Sequence, residues 1–451
     1  MKKIISLLIL AAMLTGVTSC AATATATDTA DSTTAEVGSS SGESTAASTG
    51  STEKQKLTVW LINDGMDYQK YVEDTFKAEH PEIDLTVVWY ASEDLKTQSR
   101  LAIDSGTAPD IFVTNSGSLF KEFQAAGACT DLTSYIKENG WEERVNKDYL
   151  LPYTVDGSTY AFPTSPLTVW QTLYVNRDIL EANGITSDPK SVSELISVAK
   201  TLNDNGVAPI AFGNKDAWPA IILLGDYFAQ LEADTSAVDA IISGTDKFTE
   251  NESIKKAFTT VVDLAQNGAF MEGYVSQDHA AAIQAFATGQ TAMLYNGSWW
   301  TSVADMSKIS FNLDVIQLPL IDGLTDNASV QMSSDMGAIV YSGTKNIDAC
   351  ITFLDFMTSR DTSIAHANSL TSFSLYPDTN EDVDISPVFK SEAILRQFDK
   401  PSLSPYFDWM FPTAVTGVIK TSLQEAMDGR ITVDEALQTI QNEMDQNIVS
   451  N

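Results

Sequence analysis

The run LTVWLI at residues 57–62, together with the pattern that follows it, decides the fold of this chain. An uninterrupted apolar and β-branched run of this length is typical of a buried strand. Asn63-Asp64-Gly65 ends the run. Residue spacing then predicts a helix at 67–79, a strand at 83–89, a helix at 95–105 and a strand at 109–113. This β-α-β-α-β order predicts a parallel sheet and an α/β fold.

Polar residues follow the predicted parallel strands. In open sheets of this class, ligands bind beyond the carboxyl ends of the strands. Asn63 and Asp64 follow the first strand, and Thr114 and Asn115 follow the third. The turn after the first strand, NDGMD, is not a glycine-rich phosphate loop, so we predict no nucleotide cofactor.

The composition excludes several classes of function. The chain has 27 basic and 60 acidic residues and a formal net charge of −33. A nucleic-acid backbone demands a basic face, so nucleic acid is not an expected partner. Electrostatic docking on anionic lipid is excluded for the same reason. The three His and three Cys are scattered with no C-x-x-C pair, and we predict no metal site.

The first 55 residues are predicted to direct export and to form no part of the folded domain. Lys2 and Lys3 precede an apolar run at 4–14 that is too short to span a bilayer, and small residues lead to Cys20. This is the pattern of a secretory signal peptide at residues 1–20. Residues 21–55 are rich in Ala, Ser and Thr, which predicts a disordered tether. A coil of that length spans on the order of 30 Å.

The stretch FATGQTAMLYNGSWW at residues 286–300 contains the most unusual pair of side chains. We expect a helix to end at Gly289, a strand at 291–295 and a turn at Asn296-Gly297. Trp299 and Trp300 then stand side by side, and two adjacent indoles cannot both face one core. Either both pack internally, one covering the other, or one is a platform for a ligand.

The remaining predicted elements follow the same rules. Asp156-Gly157 predicts a hairpin turn within residues 153–160. Helices are expected at 192–202, 254–265 and 348–357, strands at 313–319 and 336–341, and Trp218 lies on a loop or a helix start. Thr432 and Glu435 have the spacing of a capping box before a final amphipathic helix.

Seven short motifs occur in order along the folded part of the chain. They are GTAPDI (106–111), GACTDL (127–132), DGSTYAFP (156–163), LYVNRD (173–178), FATGQTAM (286–293), NGSW (296–299) and GRITVDEAL (429–437). Together they resemble the extracellular solute-binding proteins of bacterial ABC sugar importers, the family of maltose-binding protein. VTSC at 17–20 resembles a lipobox, which implies that Cys20 carries the lipid; the alternative is ordinary signal cleavage.

The resemblance implies a type II-like periplasmic-binding-protein fold, with two α/β lobes that close over a ligand by a hinge. Residues 56–165 and 320–370 would form lobe one, and residues 166–317 and 375–451 lobe two. The three crossings of the hinge would fall near 163–166, 318–319 and 371–374.

The resemblance and the chemistry of sugars together give the candidate ligand-binding residues. Sugars offer apolar C–H faces and a ring of hydroxyls, so a site needs flat aromatics and polar side chains. Thr114 stands where maltose-binding protein has a tryptophan, so maltodextrin specificity is not implied. Trp300 is expected to face inward or to flank the site. The candidates are Trp299, Trp218, Trp409, Trp170, Tyr406, Trp300, Asn63, Asp64, Asn115, Thr114 and Asp335.

The predicted function is that of a non-enzymatic binding subunit. We expect a monomer that its lipid holds on the outer face of a Gram-positive cell membrane. It would capture a carbohydrate, which we expect to be an oligosaccharide, and deliver it to the transmembrane subunits of an ABC permease. The alternatives are an exported carbohydrate-active enzyme and a surface adhesin. Glycoside hydrolysis needs two placed carboxylates, and no motif singles out such a pair. Cys129 and Cys350 are either buried free thiols or a disulfide, and we expect free thiols.

Overall fold

The computed structural model describes residues 54–63, 66–145, 149–163, 168–169, 171–232, 234–298, 300, 309–325, 330–334, 336–370, 382–384, 401–403 and 406–448. The predicted signal peptide and nearly all of the predicted tether lie outside these residues. So do Cys20, Asp64, Trp170, Trp299, Asp335 and the predicted crossing at 371–374.

The described residues contain fourteen strands and fifteen α-helices, numbered here in chain order. The strands are β1 (Gln55–Ile62), β2 (Ile83–Tyr90), β3 (Ile111–Thr114), β4 (Thr154–Val155), β5 (Ser158–Thr159), β6 (Phe162–Pro163), β7 (Thr168–Val169), β8 (Gln171–Asn176), β9 (Ala208–Ala211), β10 (Thr291–Gly297), β11 (Leu313–Ile316), β12 (Val330–Ser334), β13 (Gly337–Val340) and β14 (Pro401–Leu403). The helices are α1 (Met66–Glu79), α2 (Ser92–Ser105), α3 (Ser118–Ala125), α4 (Thr133–Glu138), α5 (Arg177–Ala182), α6 (Val192–Asp204), α7 (Trp218–Ala229), α8 (Ser236–Ile242), α9 (Glu252–Gln266), α10 (His279–Ala287), α11 (Ile347–Met357), α12 (Arg360–Leu370), α13 (Phe407–Met410), α14 (Thr413–Met427) and α15 (Val433–Met444). Short 3-10 turns cover Trp141–Glu143 and Leu151–Tyr153.

The first sheet has five strands in the order β2-β1-β3-β13-β6. β1 is parallel to β2 and β3, so the β-α-β-α-β prediction is confirmed. β13 runs antiparallel to β3 and β6. Leu57, Val59 and Leu61 alternate into the core, while the residues between them are partly covered. The carboxyl ends of β1 and β3 therefore lie side by side at one edge of the sheet.

The second sheet has four strands in the order β11-β8-β10-β9. β10 is antiparallel to β8 and parallel to β9. Every residue of β10 is buried, which reflects helices and loops packed on both faces of the sheet. The predicted turn at Asn296-Gly297 is wrong, because both residues continue β10 and pair with Thr172 and Gln171 of β8. The turn comes one residue later, at Ser298.

Two large apolar cores accompany these sheets. The first core draws its side chains from residues 57–162 and 336–357, around the five-stranded sheet. The second core draws its side chains from residues 173–321 and 407–444, around the four-stranded sheet. The C-terminal helices α14 and α15 belong to the second core, and the predicted capping box of Thr432 and Glu435 is confirmed at the start of α15. Ile321 also packs into the second core.

Smaller pairings connect these regions. β12 pairs with β7 and β14 in a three-stranded sheet, and β4 pairs with β5 in the predicted hairpin. Asp156 and Gly157 both have positive φ, as a two-residue hairpin turn with the twist of the strands requires. Cys129 and Cys350 are both free and buried, as predicted, and burial raises the pKa of each thiol to about 12.

Candidate functional site

A pocket of about 120 Å³ lies where side chains carried by the two cores meet. One side is formed by α2 and the segment from the end of β3 into α3. The other side is formed by α13 and α14, whose apolar faces pack into the second core. The pocket is lined by Lys96, Arg100, Asn115, Ser116, Ser118, Leu119, Asp408, Trp409, Thr413, Thr416 and Lys420.

The polar wall of the pocket consists of Lys96, Arg100, Asn115, Ser116 and Ser118. It depends on the turn between β3 and α3. Asn115 and Ser116 are buried there, and Gly117 follows with φ +93°. A Cβ atom on Gly117 would lie 2.1 Å from the carbonyl oxygen of Trp409. Only glycine suits both that backbone conformation and that approach. Gly117 is thus the point at which the polar wall touches the opposite side of the pocket.

Trp409, which lines the pocket, packs in one cluster with Trp218, Ile222 and Tyr406. This cluster is called the aromatic wall here; its other three residues do not line the pocket itself. The rings of Tyr406 and Trp409 meet edge to face with centroids 4.8 Å apart. Ile222 and Tyr406 are buried, whereas the two indoles are partly exposed. Partly exposed indoles on a buried base form a flat apolar surface that can cover the C–H face of a sugar ring. The structure therefore brings together three predicted residues, of which Trp218 is distant in sequence from Tyr406 and Trp409.

Trp218 is held in place from several directions. It begins α7, as predicted, after Ala217, which has φ +58°. The Asn214 side chain accepts a hydrogen bond from the backbone N–H of Ala220 at 3.1 Å, which satisfies one donor of the first turn. His279, the first residue of α10, meets the indole edge to face at a centroid distance of 4.5 Å. Burial lowers the pKa of His279 to about 4, so the imidazole behind Trp218 is neutral at pH 7.

A buried carboxyl group lies behind the aromatic wall. Trp218, Ile222 and Asp226 are spaced four residues apart on one face of α7, and Ile222 and Asp226 are both buried. The Tyr295 hydroxyl of β10 donates a hydrogen bond to Asp226 Oδ2 at 2.5 Å. Burial raises the pKa of Asp226 well above its ordinary value, and the hydrogen bond from Tyr295 offsets part of that rise. Gln171 Nε2 donates to the Tyr406 hydroxyl at 3.4 Å in the same region.

The remaining predicted residues lie in other surroundings. Asn63 is exposed at the end of β1, where its side chain accepts a hydrogen bond from Gln69, and it does not line the pocket. Thr114 is buried one residue before the polar wall, where its carbonyl accepts a hydrogen bond from Tyr153 at 3.4 Å. Trp300 is fully buried, at 0% exposure, against Tyr174 and Phe286. Its indole faces inward, so the structure does not bring it to the pocket.

Several pocket residues were not among the sequence candidates. Arg100 and Lys96 are four residues apart on α2, a basic face in an acidic chain, and this spacing is a signal that could have been used. Ser116 adjoins the predicted Asn115. Lys420 and Asp408 carry no sequence signal, because their positions depend on how α13 and α14 pack.

Two observations bear on other kinds of site. No group of three or more His, Cys, Asp or Glu side chains is placed to hold a metal ion within the described ranges. None of the helices in those ranges is both long enough and apolar enough to cross a bilayer.

Comparison with known proteins identifies the family. The model of the bacterial extracellular solute-binding proteins matches residues 61–363, which is more than half of the chain. The chain belongs to that family. Its members are non-catalytic binding proteins. The predicted family is therefore confirmed, and so is the prediction that the protein binds a ligand and is not an enzyme.

Solved structures of solute-binding proteins superpose over most of the chain. A chitin oligosaccharide binding protein has a TM-score of 0.77 and 23% identity, covering 88% of this chain and 99% of its own. A structure from work on xylan utilization by the thermophilic bacterium Caldanaerobius polysaccharolyticus has a TM-score of 0.74 and 21% identity, covering 86% and 99%. The predicted α/β fold of the two-domain solute-binding proteins is confirmed.

A relative detected by sequence matches a smaller part of the chain at a similar identity. An ABC transporter extracellular-binding protein of Pyrococcus horikoshii is 24% identical over 241 residues, which is 49% of this chain and 49% of the relative. The match thus spans about half the length of that relative.

Proposed function

We propose that this solute-binding protein captures a carbohydrate, by expectation an oligosaccharide, and delivers it to the transmembrane subunits of an ABC permease. The observation that carries the proposal is the aromatic wall beside the polar wall. Trp218 and Trp409 offer apolar surface to sugar rings, and the polar wall offers hydrogen-bond partners to hydroxyls. The names of the two superposed structures, which refer to chitin oligosaccharide and xylan, support a carbohydrate ligand.

The proposal includes the lobes and their movement. Residues 56–165 and 320–370 would form lobe one, and residues 166–317 and 375–451 lobe two. The separation of the two cores supports this division except at Ile321, which packs into the second core. The pocket lies where the cores meet. Closure by a hinge would bring the polar wall onto a sugar resting on the aromatic wall. Trp299, Trp170, Asp64 and Asp335 remain proposed contacts from the sequence, with Trp299 as the main stacking residue.

A glycan panel tests the binding function. The mature domain is screened by thermal shift against neutral and acidic oligosaccharides, and the mixtures are analysed by chromatography for products. We expect a rise in melting temperature with at least one oligosaccharide and no product. Trp299→Ala should lower the affinity for that sugar, whereas Tyr135→Ala, which removes a half-buried aromatic of α4, should not. Product formation would contradict the proposal, and no shift with any sugar would favour an adhesin.

The anchoring part of the proposal is tested separately. We infer that Cys20 carries the lipid and holds a monomer on the outer face of a Gram-positive cell membrane. Several acyl chains on one residue give stable attachment, which a single chain does not. Cys20→Ser should move the protein from the membrane fraction to the medium, and uptake of the labelled sugar should fall although the affinity for it is unchanged. A variant that stays with the membrane would contradict lipidation at Cys20.

A further inference from the structure

Three basic side chains line the pocket of a strongly acidic protein. The chain has 27 basic and 60 acidic residues, yet Lys96, Arg100 and Lys420 converge on one small pocket. Two carboxylates accompany them, Asp408 in the lining and Glu122 bound to Arg100. Arg100 is paired with Glu122, whereas Lys420 lies near Asp408 at a longer distance. These basic side chains converge in a molecule whose overall charge would repel an anion.

Lys420 is the least satisfied of these groups. Its side chain is 23% exposed, and its Nζ lies 3.7 Å from Asp408 Oδ2, which is an ion pair beyond hydrogen-bond distance. Within the part of the chain that the structure describes, Nζ has no hydrogen bond. An ammonium group has three N–H donors, and burying them without acceptors costs free energy. The pocket therefore presents a cation whose donors require an acceptor.

Arg100 presents a second set of donors. Its Nε and Nη2 donate to the Glu122 carboxylate at 3.3 and 3.0 Å, and Nη2 also donates to Thr413 Oγ1 at 3.1 Å. These contacts fix the guanidinium plane, and Nη1 has no hydrogen bond among the described residues. The Ser116 hydroxyl, on a residue only 1% exposed, likewise lacks a partner among them. Donors from three elements thus surround the same space.

We propose that this pocket takes the carboxylate of an acidic sugar, so that the ligand is an oligosaccharide containing a uronate residue. The inference rests on the proposed function and narrows its ligand. Trp409 lines the same pocket, so the ring that bears the carboxylate lies against its indole while the carboxylate meets Lys420 and Arg100. A phosphate dianion would be repelled more strongly than a single carboxylate by the acidic molecule.

Matched pairs of sugars test the inference in the full-length mature protein. The probes are trigalacturonate and a glucuronate-substituted xylotriose, each compared by calorimetry with its carboxyl-reduced counterpart; acetate and inorganic phosphate serve as simple anions. We expect an acidic form to bind about 10- to 100-fold more tightly than its reduced form, as hydrogen bonds to charged groups predict. The ratio should shrink as salt is raised, since both charges are partly exposed.

Variants identify the residues responsible. Lys420→Gln and Arg100→Gln should each reduce the ratio of acidic to reduced affinities toward one. Lys200→Gln, which removes a 72% exposed lysine from α6, should leave it unchanged. Because Lys420→Gln removes the cation beside the buried Asp408, the double variant Lys420→Gln/Asp408→Asn repeats the test with both charges removed.

The outcomes separate this inference from the function on which it rests. Reduced sugars that bind as tightly as acidic ones overturn the uronate site and leave carbohydrate capture intact. A ratio that survives in Lys420→Gln, Arg100→Gln and the double variant also overturns it. Acetate or phosphate binding as tightly as the acidic sugar would show a simple anion site instead. Failure of every carbohydrate to bind would contradict both proposals.

Discussion

The polar wall of the pocket and the neighbouring aromatic wall are built in different ways. The polar wall depends on one backbone turn at Gly117, whose main chain lies against that of Trp409. The aromatic wall rests on buried side chains, among them His279 against Trp218 and Asp226 on the same face of α7. One wall is therefore sensitive to backbone geometry and the other to the protonation of the groups behind it. This difference predicts which substitutions and which changes of pH will affect each wall.

Gly117→Ala is expected to have the largest effect on stability, because it disrupts the contact between Gly117 and the backbone of Trp409. The added Cβ meets the Trp409 carbonyl at 2.1 Å and the residue must keep a φ of +93°. Backbone strain and overpacking together should lower the free energy of unfolding by about 4 kcal/mol. Urea unfolding measures this change.

Gly106→Ala is the matched control for that variant. Gly106 ends α2 with φ +68° and has open space where a Cβ would be. In this variant the free energy of unfolding should fall only by the cost of the left-handed conformation, about 1–2 kcal/mol. Equal losses in the two variants would show that Gly117 is not constrained by Trp409.

Acid should weaken the aromatic wall through His279. The pKa of His279 is about 4 in the folded protein, lowered by burial from an ordinary 6.5, although Asp278 and Asp216 oppose that shift. Between these two values the unfolded chain binds the proton and the folded chain does not, so stability falls as pH falls. The loss over this window is about 3 kcal/mol.

A variant isolates that contribution. His279→Gln cannot take up the proton, so its urea-unfolding free energy should decline less than that of the wild type between about pH 7 and about pH 4.5. His80→Gln, which removes a partly exposed imidazole far from Trp218 in sequence, should behave as the wild type does. Parallel pH profiles for His279→Gln and the wild type would show that His279 is protonated freely in the folded protein.

Trp409→Ala removes the indole of the aromatic wall that lines the pocket. Aromatic residues at the centre of binding sites cost about 2 kcal/mol or more when truncated, which corresponds to about 30-fold in affinity. Calorimetry with the best oligosaccharide of the glycan panel measures the loss. Tyr135→Ala controls for removal of an aromatic side chain elsewhere, and equal affinities for Trp409→Ala and wild type would exclude the aromatic wall from binding.

The first sheet could be predicted from sequence because its strands are long apolar runs bounded by breakers. LTVWLI became β1 almost within its predicted limits. β9 was missed, because the four residues APIA at 208–211 have neither length nor β-branched character. β10 ran past its predicted end, since β8, distant in sequence, supplies hydrogen-bond partners for Asn296 and Gly297. A local turn preference gave way to a tertiary pairing.

The residues of the site also divide into those that could be predicted from the sequence and those that could not. Trp218, Tyr406 and Trp409 could be named in advance, because large aromatics near turns and helix starts are conspicuous and the family resemblance gave them a role. Arg100 and Lys420 could not, since each lies on a helix whose exposed face normally carries charge. Only the approach of α14 to α2, where Arg100 donates a hydrogen bond to Thr413, places the two cations at one pocket. Convergence of charges from separate elements has no local signature.

Asp226→Asn makes the smallest change of the four, because it removes one proton behind the aromatic wall and changes the volume very little. It tests whether the aromatic wall depends on the protonation of the groups behind it. Burial raises the pKa of Asp226 in the folded protein, so between its ordinary value of 3.8 and that raised value the folded chain holds a proton that the unfolded chain has lost. Wild-type stability therefore falls as pH rises through this window, the opposite direction to His279.

Asparagine has no such proton, and its amide oxygen can still accept the hydrogen bond from Tyr295. The advantage of Asp226→Asn in unfolding free energy should thus grow by about 1.4 kcal/mol per pH unit above about pH 4 and vanish below it. Asp84→Asn, at an exposed position of β2, should show no comparable growth. If the advantage of Asp226→Asn were constant with pH, Asp226 would be ionised in the folded protein, and the aromatic wall would rest on a buried charge instead of a neutral hydrogen bond.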